Sequence, residues 1–203
     1  MLDNPYELVS YGLKATIFTP ESINDNGQEI TLNTYLLLNA AASPDISVCL
    51  EGFSPIYRSL FDVSILDDLG HVAPYLVQVD ITSDVLDWWL AEGYMKQWGI
   101  IIRSPLSVIP LARHLKKFTK ITNAGRTYFF RFYQPKTFNH FIPNLTQEQL
   151  AEFFYPLYAV YAETADEPEQ LMHYVYASNQ LKIVKLALPM ATRPEEISTH
   201  VAL

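Results

Sequence analysis

Cysteine, glycine and charge are all scarce in this sequence of 203 residues. The single cysteine, Cys49, excludes an internal disulfide and is compatible with a reducing compartment. The seven glycines are scattered, and no pair has the spacing of a dinucleotide-binding or phosphate-binding loop. No apolar run approaches the roughly 18 residues of a membrane span. Together with 49% hydrophobic residues, these absences predict an intracellular globular domain.

Motifs for catalysis and metal binding are also absent. The five histidines show no metal-ligand spacing, and no Gly-x-Ser-x-Gly nucleophile turn occurs. Cys49 lies between Val48 and Leu50, which is typical of a small core residue, although a distant histidine could still meet it in the fold. We therefore expect no catalytic residue, no metal and no cofactor. An enzyme of unrecognised chemistry, using Cys49 or a carboxylate, is the first alternative.

The formal net charge of −8 is unevenly distributed along the chain. Residues 1–92 have a net charge of −12, residues 93–147 contain nine bases and no acid, and residues 148–203 have a net charge of −5. The basic segment could be neutralised by its acidic neighbours, or it could form a face that recruits an acidic partner. Because exposed ion pairs contribute only about 0–1 kcal/mol each to stability, the pattern is better suited to steering association.

Short apolar runs alternate with amphipathic segments up to about residue 145. We predict strands over 34–40, 74–81, 98–103 and 127–133, with helices between them. This alternation predicts an α/β fold with a mostly parallel sheet flanked by helices. Three further runs, at 157–162, 172–178 and 181–188, predict an antiparallel C-terminal strand meander.

The expected organisation is one αβ domain with additions at both ends. We predict an N-terminal extension over 1–33 and a main domain over 34–163. A C-terminal hairpin over 164–188 packs on that domain, and 189–203 is predicted to be a flexible tail.

Residues 105–120 predict a basic amphipathic helix. Its inward stripe is Leu111, Leu115 and Phe118, while basic side chains face outward. These bases and two further ones downstream are the candidate partner-binding residues: Arg113, Lys116, Lys117, Lys120, Arg126 and Lys136.

The densest aromatic segment is 128–133, Tyr-Phe-Phe-Arg-Phe-Tyr. Beside Arg126, Arg131 and Lys136, it is similar to a platform for single-stranded nucleic acid, so a nucleic-acid binder using 113–136 is the second alternative. We favour a central strand buried on both faces, because both faces are aromatic and the protein is acidic. Arg131 would then be a semi-buried cation that needs a partner.

Several short blocks occur in a characteristic order. Trp98-Gly-Ile-Ile-Ile-Arg-Ser-Pro is followed by His114-Leu115, by Phe129-Phe-Arg-Phe-Tyr-Gln-Pro and by Phe153-Phe-Tyr-Pro, and Pro74-Tyr-Leu-Val precedes them. From about Thr34 to Glu163, this order resembles the bacterial type VI secretion effector chaperones, also called adaptor proteins, whose shared domain has been catalogued as one of unknown function. The resemblance suggests structural roles for Trp98, Arg103, His114, Arg131, Tyr133 and Pro135.

The resemblance implies a cytoplasmic, non-enzymatic loading factor. Such a protein binds a toxic effector and delivers it to the spike protein VgrG at the tip of the secretion tube, without a cofactor, a nucleic-acid partner or a membrane span. The missing catalytic motifs, the 13% aromatic residues and the uneven charge agree with that role. The sequence departs from the family at Gln134, where aspartate is usual, and at Lys136, where arginine is frequent.

Overall fold

The computed structural model of the protein describes residues 5–25, 27–123 and 125–189. The helices are α1 (Pro5–Ile17), α2 (Asp45–Phe53), α3 (Val63–Leu69), α4 (Asp84–Glu92), α5 (Val108–Lys116), α6 (Pro135–Phe141) and α7 (Gln147–Phe154). The strands are β1 (Ser22–Asp25), β2 (Gln28–Thr31), β3 (Asn33–Asn39), β4 (Tyr57–Ser59), β5 (Pro74–Val79), β6 (Gly99–Ser104), β7 (Lys120–Asn123), β8 (Arg126–Phe129), β9 (Ala159–Glu163), β10 (Gln170–Ala177) and β11 (Gln180–Ala187).

Seven strands form one sheet in the order β11-β10-β9-β6-β3-β5-β4. Every neighbouring pair in this sheet is antiparallel. The prediction of a mostly parallel sheet is therefore wrong. At the C-terminal end, β9, β10 and β11 do form the predicted antiparallel meander.

Two pairs of strands that are connected by a helix do run in the same direction, but the two strands of each pair are not neighbours in the sheet. A third strand lies between the two and pairs antiparallel with both of them. β3 and β4 both pair antiparallel with β5, so they run in the same direction, with α2 between them in the chain. β5 and β6 likewise run in the same direction on either side of β3, and α4 connects them. The alternation of strands and helices thus reflects split crossovers. Alternation along the chain does not reveal the inserted strand.

Helices cover both faces of the sheet. Along β3, Tyr35 and Leu37 face one core, which α5, α6 and α7 complete. Leu36 and Leu38 face a second core, which is closed by α1, α2 and α4. Because both faces are buried, the central strands have uninterrupted apolar sequences instead of the alternation of a half-exposed sheet.

Two small hairpins, β1–β2 and β7–β8, lie outside the main sheet. The predicted strand over 127–133 is wrong at its C-terminal end, since β8 stops at Phe129. The backbone N–H of Phe130 donates to the carbonyl of Thr119, and the chain then turns towards α6. Strand β8 is exposed throughout and is not a central strand.

The longest described helix, α1, has 13 residues. Within the described ranges, no helix combines the length and apolar character needed to cross a membrane. The predicted flexible tail, 189–203, lies outside the described residues except for Pro189.

Candidate binding surface

Helix α5 carries the basic side chains that the sequence singles out. Pro110 lies in its first turn, where a missing N–H leaves no helical hydrogen bond unmade. Leu111 and Leu115 are fully buried, and the half-buried Phe118 packs on Phe153 with ring centroids 5.0 Å apart. The predicted inward stripe is confirmed. The helix itself is shorter than the predicted 105–120.

A groove of about 300 Å³ lies between α5 and the start of α3. Its apolar lining is Leu60, which is buried, together with Phe61 and Ile65, which are partly exposed. Four of the six candidate partner-binding residues line it as well: Arg113, Lys116, Lys117 and Lys120. The structure therefore brings most of the predicted basic face together at one concave site.

One acid reaches into this groove. The Lys116 ammonium forms a salt bridge and hydrogen bond with the Asp62 carboxylate, which belongs to the acidic segment 1–92. Lys116 lowers the pKa of Asp62, and Lys120 lowers it further. In the part of the chain that the structure describes, Arg113, Lys117 and Lys120 form no salt bridge. The fold therefore neutralises this basic face at a single point.

The β7–β8 hairpin extends the groove with an aromatic surface. Phe129 lies opposite Lys120 in the hairpin, and its ring contacts Phe61 at a centroid distance of 5.2 Å. Ile121 and Tyr128 form the next pair. Ile121, Tyr128 and Phe129 are 45%, 48% and 50% exposed. Isolated two-stranded hairpins are marginally stable in water, so this hairpin would gain from a partner that covers it.

The two remaining candidate residues occupy different places. Arg126 is exposed at the start of β8, on the same hairpin as Phe129. Lys136 is exposed on α6, and its backbone N–H donates to the Gln97 side-chain oxygen at 2.8 Å. The groove lining does not include Lys136, so the structure separates it from the other bases.

The prediction that Arg131 is semi-buried is wrong, because the side chain is exposed. Its backbone carbonyl accepts from the N–H of Gln134 and closes a turn. The next two side chains, Phe132 and Tyr133, enter the core from this turn and are 0% and 2% exposed. The aromatic residues here pack from a loop, which leaves Arg131 outside.

Trp98 and His114 both have packing roles. Trp98 is buried and packs on Trp88 with ring centroids 5.5 Å apart. The His114 ring nitrogen Nε2 lies 2.9 Å from the Phe153 carbonyl oxygen, a hydrogen bond that joins α5 to α7. Burial lowers the pKa of His114. Burial thus favours the neutral imidazole, which connects the two helices through this hydrogen bond.

Arg103 is a buried cation, with 1% of its surface exposed. Its Nη1 donates to the Ile17 carbonyl at 2.7 Å, and its Nη2 donates to the Pro20 carbonyl. Burial lowers the pKa of Arg103. Carbonyls at a helix C-terminus carry partial negative charge, so Arg103 binds the end of α1 through backbone groups.

Comparison with known families matches residues 34–152 to the domain of unknown function DUF4123. The chain belongs to the DUF4123 family. The matched region runs from β3 into α7, so it contains the groove and the β7–β8 hairpin. No curated protein and no solved structure matches the chain.

Within the DUF4123 domain, Gln134 and Pro135 begin α6. Pro135 is at the first helical position, and Gln134 is the N-cap residue but makes no capping hydrogen bond. The Gln134 side-chain oxygen instead accepts a long hydrogen bond of 3.5 Å from the Thr137 hydroxyl. Aspartate, which the resemblance makes the usual residue here, is among the favourable residues for an N-cap position.

Cys49 lies part-buried on α2 of the DUF4123 protein. Burial raises the pKa of its thiol, and the nearby Asp45 raises it further. A nucleophilic cysteine needs the opposite shift. Among the described residues, no group of three or more histidine, cysteine or acidic side chains is placed to hold a metal ion.

Two acidic residues with structural roles were not predicted from the sequence. Asp62 is one, and Glu163, the last residue of β9, is the other. Glu163 is 2% exposed, and its Oε2 accepts from the backbone N–H and side-chain Nε2 of Gln97 at 3.0 and 3.1 Å. Burial raises the pKa of Glu163 to about 7. An acid directly after the apolar run 159–162 was the available signal.

Proposed function

We propose that this DUF4123 protein is a cytoplasmic chaperone and adaptor. It binds a type VI secretion toxin effector and loads it onto the spike protein VgrG for delivery. Membership of the DUF4123 family over residues 34–152 supports the proposal. The resemblance of the blocks around Trp98–Pro105 and Arg131–Pro135 to effector chaperones supports it further.

The observation that carries this function is the groove between α3 and α5 with its neighbouring hairpin. It combines three cations that form no salt bridge within the described ranges, Arg113, Lys117 and Lys120, with exposed aromatic side chains. Protein interfaces favour aromatic residues and arginine, while complementary charge selects the partner and speeds encounter. The surface therefore suits recognition of another protein better than conversion of a substrate.

We further propose that the protein acts without turnover. The Cys49 thiol has a raised pKa, which argues against a thiolate nucleophile. Replacing Cys49 with alanine is expected to leave effector delivery intact. Loss of delivery by a folded Cys49→Ala variant would revive the enzymatic alternative.

The direct test is co-expression of the tagged protein with type VI secretion effectors and VgrG proteins of the same organism. We expect one effector and one VgrG protein to co-purify at a defined stoichiometry, measured by size-exclusion chromatography with light scattering. Deleting the gene is expected to abolish secretion of that effector, while VgrG itself is still assembled. Absence of any complex, with all components folded, would contradict the adaptor role.

Single-stranded nucleic acid remains the second candidate partner, because Tyr128 and Phe129 are exposed beside basic residues. Aromatic stacking and cations are the features of such sites. The net charge of −8 and the Asp62 carboxylate in the groove oppose a polyanion. Fluorescence anisotropy with oligothymidine at low salt tests this alternative directly.

A further inference from the structure

We propose that the groove between α3 and α5 is a docking site for an acidic protein segment that carries an apolar side chain. We also infer that Asp62 holds Lys116 in the free protein and that a carboxylate of the partner displaces it. The inference rests on the proposed adaptor function and identifies its partner by chemistry.

The charge of the groove selects an acidic segment. Asp62 already shows that a carboxylate fits against Lys116. Arg113, Lys117 and Lys120 line the same groove and form no salt bridge within the described ranges. Since one internal acid meets four bases, the site can accept further carboxylates without a new basic residue.

The apolar wall of the groove selects a protein segment. Leu60, Phe61 and Ile65 form this wall, and Phe61 continues into Phe129 on the hairpin. The partly exposed aliphatic side chain of Ile65 can help bury a leucine or phenylalanine of a partner, whereas nucleotide bases bind mainly by stacking on aromatic rings. A segment with both carboxylates and an apolar residue matches the whole lining.

The Asp62–Lys116 contact is suited to exchange. Both side chains are substantially exposed, with 51% of Asp62 and 40% of Lys116 accessible. Exposed ion pairs are weak because water solvates both charges when they separate. A partner carboxylate can therefore replace Asp62 at little cost, and its neighbouring apolar residue supplies the net gain.

The test uses the full-length protein and a short labelled peptide of alternating acidic residues with one leucine and one phenylalanine. Binding is followed by fluorescence polarisation. Two control peptides carry amides in place of the acids, or glycine in place of the apolar pair. We expect both controls to bind about tenfold more weakly, and we expect salt to weaken the acidic peptide. Equal binding of all three peptides would overturn the proposal.

Variants of the groove test the docking site and the displacement of Asp62 separately. Asp62→Asn keeps the side-chain shape and removes the charge, and we expect it to bind the acidic peptide about two- to fivefold more tightly, as expected when one exposed ion pair no longer competes. Lys117→Glu is expected to bind about fivefold or more weakly. Lys182→Glu, an equal charge reversal on β11, is the matched control and should bind like wild type. Unchanged or weaker binding by Asp62→Asn would refute the displacement.

A variant that fails to fold would be uninformative by itself, so each melting midpoint is measured and Lys117→Gln is included as a milder change. Unaltered peptide binding by both folded Lys117 variants would overturn the docking site. Tighter binding of oligothymidine than of the acidic peptide would assign the groove to nucleic acid and overturn it too.

The same variants distinguish this inference from the adaptor function. If Lys117→Glu still forms the effector and VgrG complexes with wild-type affinity, the groove is not their docking site, while the adaptor role stands. If wild-type protein binds the peptide but neither co-expressed partner, the adaptor role fails, while the chemistry of the groove stands.

Discussion

The Arg103 guanidinium donates a hydrogen bond to the backbone carbonyl of Ile17 at 2.7 Å, which joins the middle of the sheet to the end of α1. Arg103 lies inside the DUF4123 region, whereas Ile17 precedes it. A side chain of the family domain thus holds the N-terminal helix. The bond is made to a backbone carbonyl, so the buried cation depends on α1 staying in place.

Replacing Arg103 with alanine should loosen α1. The carbonyls of Ile17 and Pro20 would lose a charged donor, and hydrogen bonds to charged groups contribute about 1.5–3 kcal/mol each. We expect the free energy of unfolding to fall by about 3 kcal/mol, measured by urea denaturation. Amide exchange should rise first in α1. Arg58→Ala, at an exposed arginine, is the control and should change stability by less than about 0.5 kcal/mol.

Neighbouring residues Arg131 and Phe132 should respond in opposite ways to substitution. Phe132 is fully buried and packs on Phe153 at a ring-centroid distance of 5.4 Å. Phe132→Ala should therefore cost about 3–5 kcal/mol through lost burial and a cavity. Arg131→Ala should change the free energy of unfolding by less than about 0.5 kcal/mol, since its side chain is exposed. A large loss from Arg131→Ala in thermal melts would contradict the exposed position.

Features encoded by neighbouring residues could be predicted from the sequence. The capping box at the start of α7 is present in both directions, with Thr146 accepting from the Gln149 N–H and Gln149 accepting from the Thr146 N–H. The buried stripe of Leu111 and Leu115 on α5 was predictable from helical spacing. The apolar run of β3 was predictable for the same local reason.

Features that depend on distant residues could not be predicted. The strand order could not be predicted, because nothing in the sequence of β5 or β6 indicates that β3 lies between them in the sheet. The basic side of the groove could be predicted, but the position of Asp62 in it could not. Lys116 and Asp62 are 54 positions apart and meet only in the fold. The exposure of Phe129 was missed because aromatic residues on a strand usually pack inside, and here the strand stops early.

Gln134→Asp should stabilise α6. Aspartate at an N-cap accepts a hydrogen bond from the first free backbone N–H groups, which Gln134 does not do here. We expect a gain of about 1 kcal/mol in the free energy of unfolding. Gln134→Asn tests the mechanism, since it caps without adding charge. If only aspartate stabilises and salt removes the gain, then pairing with a nearby base such as Arg131, and not capping, explains the family's usual residue.

Glu163 should make stability depend on pH. Burial raises its pKa from the ordinary 4.5 to about 7, so the folded protein binds this proton more tightly than the unfolded chain does. The free energy of unfolding contributed by Glu163 is therefore greatest below about pH 4.5 and falls as the pH rises through about 7. The loss should approach about 3 kcal/mol, at about 1.4 kcal/mol per pH unit.

The measurement compares wild type with Glu163→Gln by urea denaturation across this pH range. Glutamine keeps the acceptor for the Gln97 N–H and cannot ionise, so the two proteins should have similar stability near pH 5, while the variant becomes the more stable near pH 8. Burial lowers the pKa values of His114 and His173, which raises stability with pH in the same range, and both proteins share that effect. The difference between the two proteins therefore isolates Glu163. A difference that stays constant with pH would show that Glu163 ionises in the folded protein as readily as in the unfolded chain.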